Sequence, residues 1–153
     1  MKISAPTGAL HLPNIKLFSR AFSHVRTHAY LFVVRVAGNF ADTVGLRTLE
    51  YGYTNLNAKF IIVLGHEGCG AIKAPVDAIK SGTQLPPHLY ALQSGIEPGI
   101  TSIAKTGSYE DAVLANVRAQ VLQLSNAGPV LAVPLREVTC ALWGPNISSF
   151  VAK

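Results

Sequence analysis

The sequence predicts an α/β protein, a mostly parallel β-sheet flanked by helices, on three observations. Its apolar runs are short and rich in β-branched residues, as in Leu31-Phe32-Val33-Val34 and Phe60-Ile61-Ile62-Val63-Leu64, which is how strands buried on both faces read. Between those two runs lies a stretch with helical periodicity, and strand, helix, strand at this spacing forms a right-handed parallel crossover. Gly and Pro pairs then punctuate the rest of the chain at intervals that suit helices.

The elements follow in order. Residues 1–30 show no clear period, with turn formers at Pro6, Gly8 and Pro13 and a helical stretch from Ser19 to Tyr30. They are read as an atypical N-terminal arm, and residues 31–153 as the domain proper. Leu31-Phe32-Val33-Val34-Arg35-Val36 reads as a buried strand stopped by the turn pair Gly38-Asn39. Thr43 is the expected cap of a helix to about Leu56, with Val44, Leu46, Leu49, Tyr53 and Leu56 on or near one face. A second strand is expected over Lys59 to Leu64, then a turn, then a helix from Ala71 to Lys80 ended by Ser81-Gly82. Two short helices are expected over His88 to Ser94 and Pro98 to Thr106. Ser108, with Glu110 and Asp111 in the first turn, opens a helix to Ser125. Gly128-Pro129 closes that stretch, and Val138 to Trp143 reads as the last strand.

Composition narrows the function. A chain of 153 residues, 49% of them hydrophobic, can build one real core. No apolar run approaches the ~20 residues of a membrane helix, so no membrane partner is expected. The net charge is +5, but its Lys and Arg residues are scattered and form no stripe with interleaved aromatics, which argues against nucleic acid. Two cysteines, Cys69 and Cys140, make no disulfide framework, so a cytoplasmic setting is expected. The first acidic residue is Asp42, after Lys2, Lys16, Arg20, Arg26 and Arg35, so an organelle-targeting segment is the alternative.

Chemistry concentrates in Gly65-His66-Glu67-Gly68-Cys69-Gly70. A His and a Cys three residues apart on a strand-to-helix turn, at the carboxyl end of a strand, can face one Zn²⁺. Gly65, Gly68 and Gly70 let the backbone fold closely around an ion, and the following helix N-terminus suits a thiolate. Alone, the pair is a weak signal, and a buried thiol beside a hydrogen-bonded histidine is the simpler reading. His24 and His28, four residues apart, could share a helix face toward an ion, although surface histidines are the simpler reading. His11 and His88 have no partner at ligand spacing. Glu67 reads as a solvent-facing turn carboxylate, Cys140 as an inert strand thiol, and Tyr51, Tyr53 and Trp143 as core or interface aromatics.

The blocks Leu31 to Asn39 (LFVVRVAGN), Leu49-Glu50-Tyr51 and Phe60 to Ala71 (FIIVLGHEGCGA) resemble, in order and spacing, the signature blocks of the β-class carbonic anhydrases. Gly82 to Leu92, Asn116-Val117-Arg118 and Val138 to Trp143 are similar to later parts of that family. The resemblance implies zinc held by two Cys and one His, reversible hydration of CO₂ to bicarbonate, and a tight dimer or larger homo-oligomer. It places His66 and Cys69 at the second and third protein ligands, and gives Arg35 a place at the dimer contact.

The family's first ligand belongs to a Cys-x-Asp-x-Arg block upstream, and no cysteine precedes Cys69 here. Counting back from Leu31 by the family's spacing puts Pro13, Ile15 and Leu17 at the Cys, Asp and Arg positions. The resemblance therefore implies that the N-terminal metal-ligand strand is missing or replaced, that no catalytic Asp/Arg pair is identifiable, and that zinc is bound weakly or not at all. In the resembling fold that strand lies between the LFVVRVAGN and FIIVLG strands, so its loss would leave two edges unpaired. Gly8 to Phe18 could form a poor substitute, with Pro13 unfavourable in a central strand. The expectation is an incomplete enzyme, or a non-catalytic homologue pairing with an intact paralogue. A frameshift or shifted start upstream of Leu31 is a third reading.

Overall fold

A computed structural model describes residues 32–58, 60–132, 138–143 and 150–151. The chain divides into two units, Met1–Leu31 and Phe32–Lys153. The readings made for the first unit, including Pro13, Ile15, Leu17, His11, His24 and His28, lie outside the described residues.

Within the second unit, helix α1 spans Thr43–Asn55, strand β1 Ile61–His66, α2 Gly70–Ser81, α3 Pro87–Ala104, α4 Tyr109–Ser125 and α5 Pro129–Ala132. Strands β2, Val138–Trp143, and β3, Phe150–Val151, complete the described elements. β1 and β2 pair in parallel, from Ile61 opposite Val138 to His66 opposite Trp143. β3 joins the other edge of β2 antiparallel, with Cys140 opposite Val151 and Ala141 opposite Phe150. Helices α2 to α5 lie in the crossover between β1 and β2, in keeping with the α/β expectation.

The core forms where α4 packs across β1 and β2 and α3 packs on α2 and α4. Ile72 and Val76 of α2, Ile96, Ile100 and Ala104 of α3, and Ala112, Val113, Val117 and Leu124 of α4 are all buried there. On α3 the buried residues Gln93, Ile96, Ile100 and Ala104 recur at helical spacing, one stripe facing inward.

Four expectations change. Residues 33–36 run toward the turn without joining a β-ladder among the described residues, and Val33 is 63% exposed and Val36 40%. β-branched composition supplies propensity, but a strand exists only where a neighbour completes its hydrogen bonds. α1 is capped by Asp42, whose Oδ1 accepts from the Gly45 amide at 2.7 Å, and Thr43 is its first helical residue. A carboxylate there also complements the helix dipole. β1 begins two residues later than expected and carries His66 as its last residue.

The two short helices read around Pro98 are one helix, α3. Proline removes one backbone bond and crowds the carbonyl four residues back. Here that residue is Ser94, which is exposed, as is Pro98, so water can take up the freed carbonyl while the buried stripe holds both halves together. α2 and α4 follow the sequence reading closely. α2 ends at Gly82, and α4 opens on a reciprocal capping box between Ser108 and Asp111.

A polar cluster ties the start of α4 to α2. The Tyr109 hydroxyl donates to Asp77 Oδ1 at 2.7 Å, and Lys73 donates to Oδ2. The ammonium groups of Lys73 and Lys80 lie 4.7 and 5.1 Å from the centre of the Tyr109 ring. Lys73, and after it Tyr109, holds the Asp77 carboxyl below the 3.8 of a free aspartate. Hydrogen bonding to Asp77 raises Lys73 above 10.5. A depressed carboxylate stabilises the fold above its unfolded pKa, and that contribution fades as pH falls through the folded value. The raised lysine contributes below 10.5 and loses its share as pH climbs beyond. Asp77→Asn should therefore lower the melting temperature near neutral pH and converge with the parent in strong acid, below 3.8. Thermal melts across the acid range check this; a constant gap at every pH would contradict it.

Among the described residues, no helix is long and apolar enough to cross a membrane.

Candidate metal centre

β1 delivers His66 to its carboxyl end, and a tight turn carries the chain into α2. Gly68 makes this turn with φ 65, and a Cβ placed there would meet no heavy atom within 4 Å. The requirement for glycine is thus conformational rather than one of space. Cys69 follows as the N-cap of α2, with no side-chain cap bond. Its carbonyl accepts from Lys73 at 2.9 Å, and its side chain is 7% exposed. Gly65 is buried in β1, and Gly70 is the first residue of α2, with open space where a Cβ would stand.

The His66 ring is exposed and its Nδ1 lies 3.0 Å from the Glu67 carbonyl oxygen. With Nδ1 donating to that carbonyl, the tautomer leaves Nε2 as the basic nitrogen, the arrangement that orients a histidine for coordination. Glu67 is half-buried in the turn rather than fully solvent-facing.

The structure thus places Gly65 and His66 at the end of β1, Gly68 and Cys69 in the turn, and Gly70 at the start of α2. Imidazole and thiolate are donors of the right kind for Zn²⁺, and a catalytic zinc needs three protein ligands. Among the described residues no group of three or more His, Cys, Asp or Glu is arranged to hold a metal ion. The described donors therefore do not make up a complete zinc site. Cys140 lies on β2, with its side chain outside the described set, as is that of Trp143. His88 is an exposed residue of α3.

Two features of the site escaped the sequence reading. An apolar pocket of about 270 Å³ opens beside the turn, lined by Ala37, Gly70, Ala71, Leu85, Leu89 and Leu92 among others. Leu89 and Leu92 stand three apart on α3 and Leu85 precedes that helix, and nothing in this spacing indicated a cavity. The second is a chain of buried carboxamides on α4. Asn116, 1% exposed, donates Nδ2 to the Gly38 carbonyl at 2.7 Å, and Gln120, 2% exposed, accepts from the Ala41 amide at 3.3 Å. Gln123 donates to the Ala41 carbonyl at 2.8 Å. Three side chains of one helix thus hold the bend that forms the pocket's Ala37 wall.

A family model described as carbonic anhydrase matches residues 23–148. A protein named Carbonic anhydrase from Mycolicibacterium smegmatis is 32% identical over 116 residues, covering 74% of this chain and 56% of that protein. One named Carbonic anhydrase 2 from Mycobacterium tuberculosis is 49% identical over 53 residues, which is 35% of this chain and 26% of that protein. The chain therefore spans about half, or less, of the length of these curated relatives. The family match covers most of the chain and takes in the β1–α2 turn, the bend at Gly38 and the amide-bearing helix: the chain belongs to the β-class carbonic anhydrase family.

Proposed function

We propose that this chain carries half of the zinc-dependent CO₂-hydrating site of its family, with His66 and Cys69 as the two metal ligands, and that it turns over CO₂ little or not at all by itself. The observation that carries this reading is the pairing of those two donors on one turn, in a sequence where no cysteine precedes Cys69. No Cys-x-Asp-x-Arg block that could bear the first ligand and the orienting pair stands before Leu31 in this sequence. Such a site binds Zn²⁺ weakly, because a third protein ligand is lacking and coordination by two leaves the ion largely to water. The apolar pocket beside Gly70 has the chemistry to hold an uncharged gas such as CO₂ next to the turn, and Ala37, Ala71 and Leu92 would exclude water from it.

Stopped-flow CO₂ hydration on a zinc-loaded sample, with an intact family member measured alongside, tests the proposal. The expected rate lies at least about a hundredfold below the intact protein, since loss of an activating group typically costs 10²–10⁴. Metal analysis should find well under one zinc per chain after dialysis. Turnover near that of the intact relative would overturn the reading.

A second reading, a non-catalytic partner that pairs with an intact paralogue, is favoured by one observation. Of the twelve large apolar side chains exposed among the described residues, eight fall within residues 32–64, including Val33, Val44, Tyr51 and Leu56. Exposed apolar side chains mark an interaction site where they join into one patch. Co-purification with a full-length relative would support it. A monodisperse homo-oligomer with one zinc per chain would count against it.

A further inference from the structure

We propose that Asn116 is a positioning residue for the metal-site turn, acting through a relay of carboxamides that runs from α4 to the His66 end of β1. The proposal rests on reading His66 and Cys69 as the metal pair, but the relay itself holds without a metal.

The first link is inside the core. Asn116 is nearly fully buried, and both ends of its amide are used: Nδ2 donates to the Gly38 carbonyl at 2.7 Å, and Oδ1 accepts from Gln120 Nε2 at 3.3 Å. Gln120 in turn accepts from the Ala41 amide, so the bend is held at both of its ends by one pair of side chains. Burial fixes the geometry further, since a carboxamide out of water has no alternative partner.

The second link is the bend. Gly38 and Asn39 stand in succession at φ 64 and 55, a left-handed pair that reverses the chain. The Asn39 amide closes the turn onto the Val36 carbonyl at 3.1 Å. This conformation aims the Asn39 side chain at β1, where Nδ2 donates to the Leu64 carbonyl.

The third link is the strand. Carbonyls two residues apart on a strand point to the same edge, so Asn39 grips β1 on the edge to which the His66 carbonyl also points. The opposite edge is zipped to β2, through His66 opposite Trp143. The end of β1 is thereby held from both sides, by a sheet ladder and by the relay. A helix packed across both strands sets where His66 stands relative to Cys69.

Hydrogen exchange of the Val63 and Gly65 amides, which face β2, and the ¹⁵N shifts of the His66 ring, read on the full chain without added metal, test the relay. Asn116→Ala cuts its root. Asn39→Gly cuts its tip while keeping a residue at ease in the left-handed region. Ser108→Ala, which removes the cap of the same helix, serves as a destabilised control outside the relay. Relative to a core reference amide such as Ile100, both relay variants should speed exchange at Val63 and Gly65 about tenfold or more and move the ring shifts. The control should leave that ratio near one. The double variant should do no more than the larger single one, because both cut the same path. Ratios near one in the relay variants, or effects that add, would overturn the proposal. Should Asn116→Ala fail to fold, Asn39→Gly decides alone, and its silence is equally fatal. Weak zinc binding left unchanged by His66→Ala and Cys69→Ala would sink the metal reading and leave these ratios standing.

Discussion

Ile96→Ala should lower the free energy of unfolding by about 2–5 kcal/mol, the range for truncating a fully buried Ile. Ile96 has no exposed surface and lies at the centre of the α3 stripe, where α3 meets both α4 and the bend before α1. Its Cδ1 fills the space that a side chain at Gly38 would occupy. Truncation therefore removes contacts on two sides, and the cavity can collapse only if the bend moves inward. The bend is held by Asn116, Gln120 and Gln123, so relaxation is restricted and the cost should fall in the upper half of that range. Denaturant unfolding at constant slope checks it. A loss below about 1 kcal/mol would mean that the bend follows the cavity, and that the amides hold it less firmly than their burial suggests.

The same neighbourhood shows what the sequence could and could not say. Elements with a local signal were legible. Ser108 with Asp111 three residues on marks the start of α4, Gly82 marks the end of α2, and the run from Ile61 to Leu64 marks β1. The metal turn was legible for the same reason, since His66, Gly68 and Cys69 lie within four residues of one another. What failed depended on partners distant in sequence. The run at 33–36 has the composition of a strand but no ladder among the described residues, and propensity cannot supply a neighbour. Pro98 reads locally as a break, and α3 continues through it because Ile96 and Ile100 are buried on either side. Asn116 and Gln120 look like ordinary polar positions in a helix. Their carbonyl and amide partners lie 78 and 79 positions away, a distance that no spacing rule bridges. The pocket is hidden likewise, because Ala37 and Leu89 become neighbours only once α2 and α3 pack.

Gly38→Ala carries the other large effect, and it divides into two parts that can be measured separately. The first is conformational: φ of 64 places a Cβ against the following carbonyl, at about 1–2 kcal/mol for a residue other than glycine. The second is steric: the new Cβ would stand 2.5 Å from Ile96 Cδ1, so one of the two must shift within a filled core. Overpacking of this kind costs about 1–3 kcal/mol. Together they predict a loss of about 2–5 kcal/mol, read as a drop in unfolding midpoint. Ile96→Val removes only Cδ1 and by itself should cost about 0.5–1.5 kcal/mol. In the Gly38→Ala background it should cost less than that, or even restore stability, because the atom it deletes is the one in the way. The double variant then retains only the conformational part. A strictly additive pair would show that α3 moves as a body to admit the methyl group, and the bend would then have to be regarded as following α3 rather than being fixed against it.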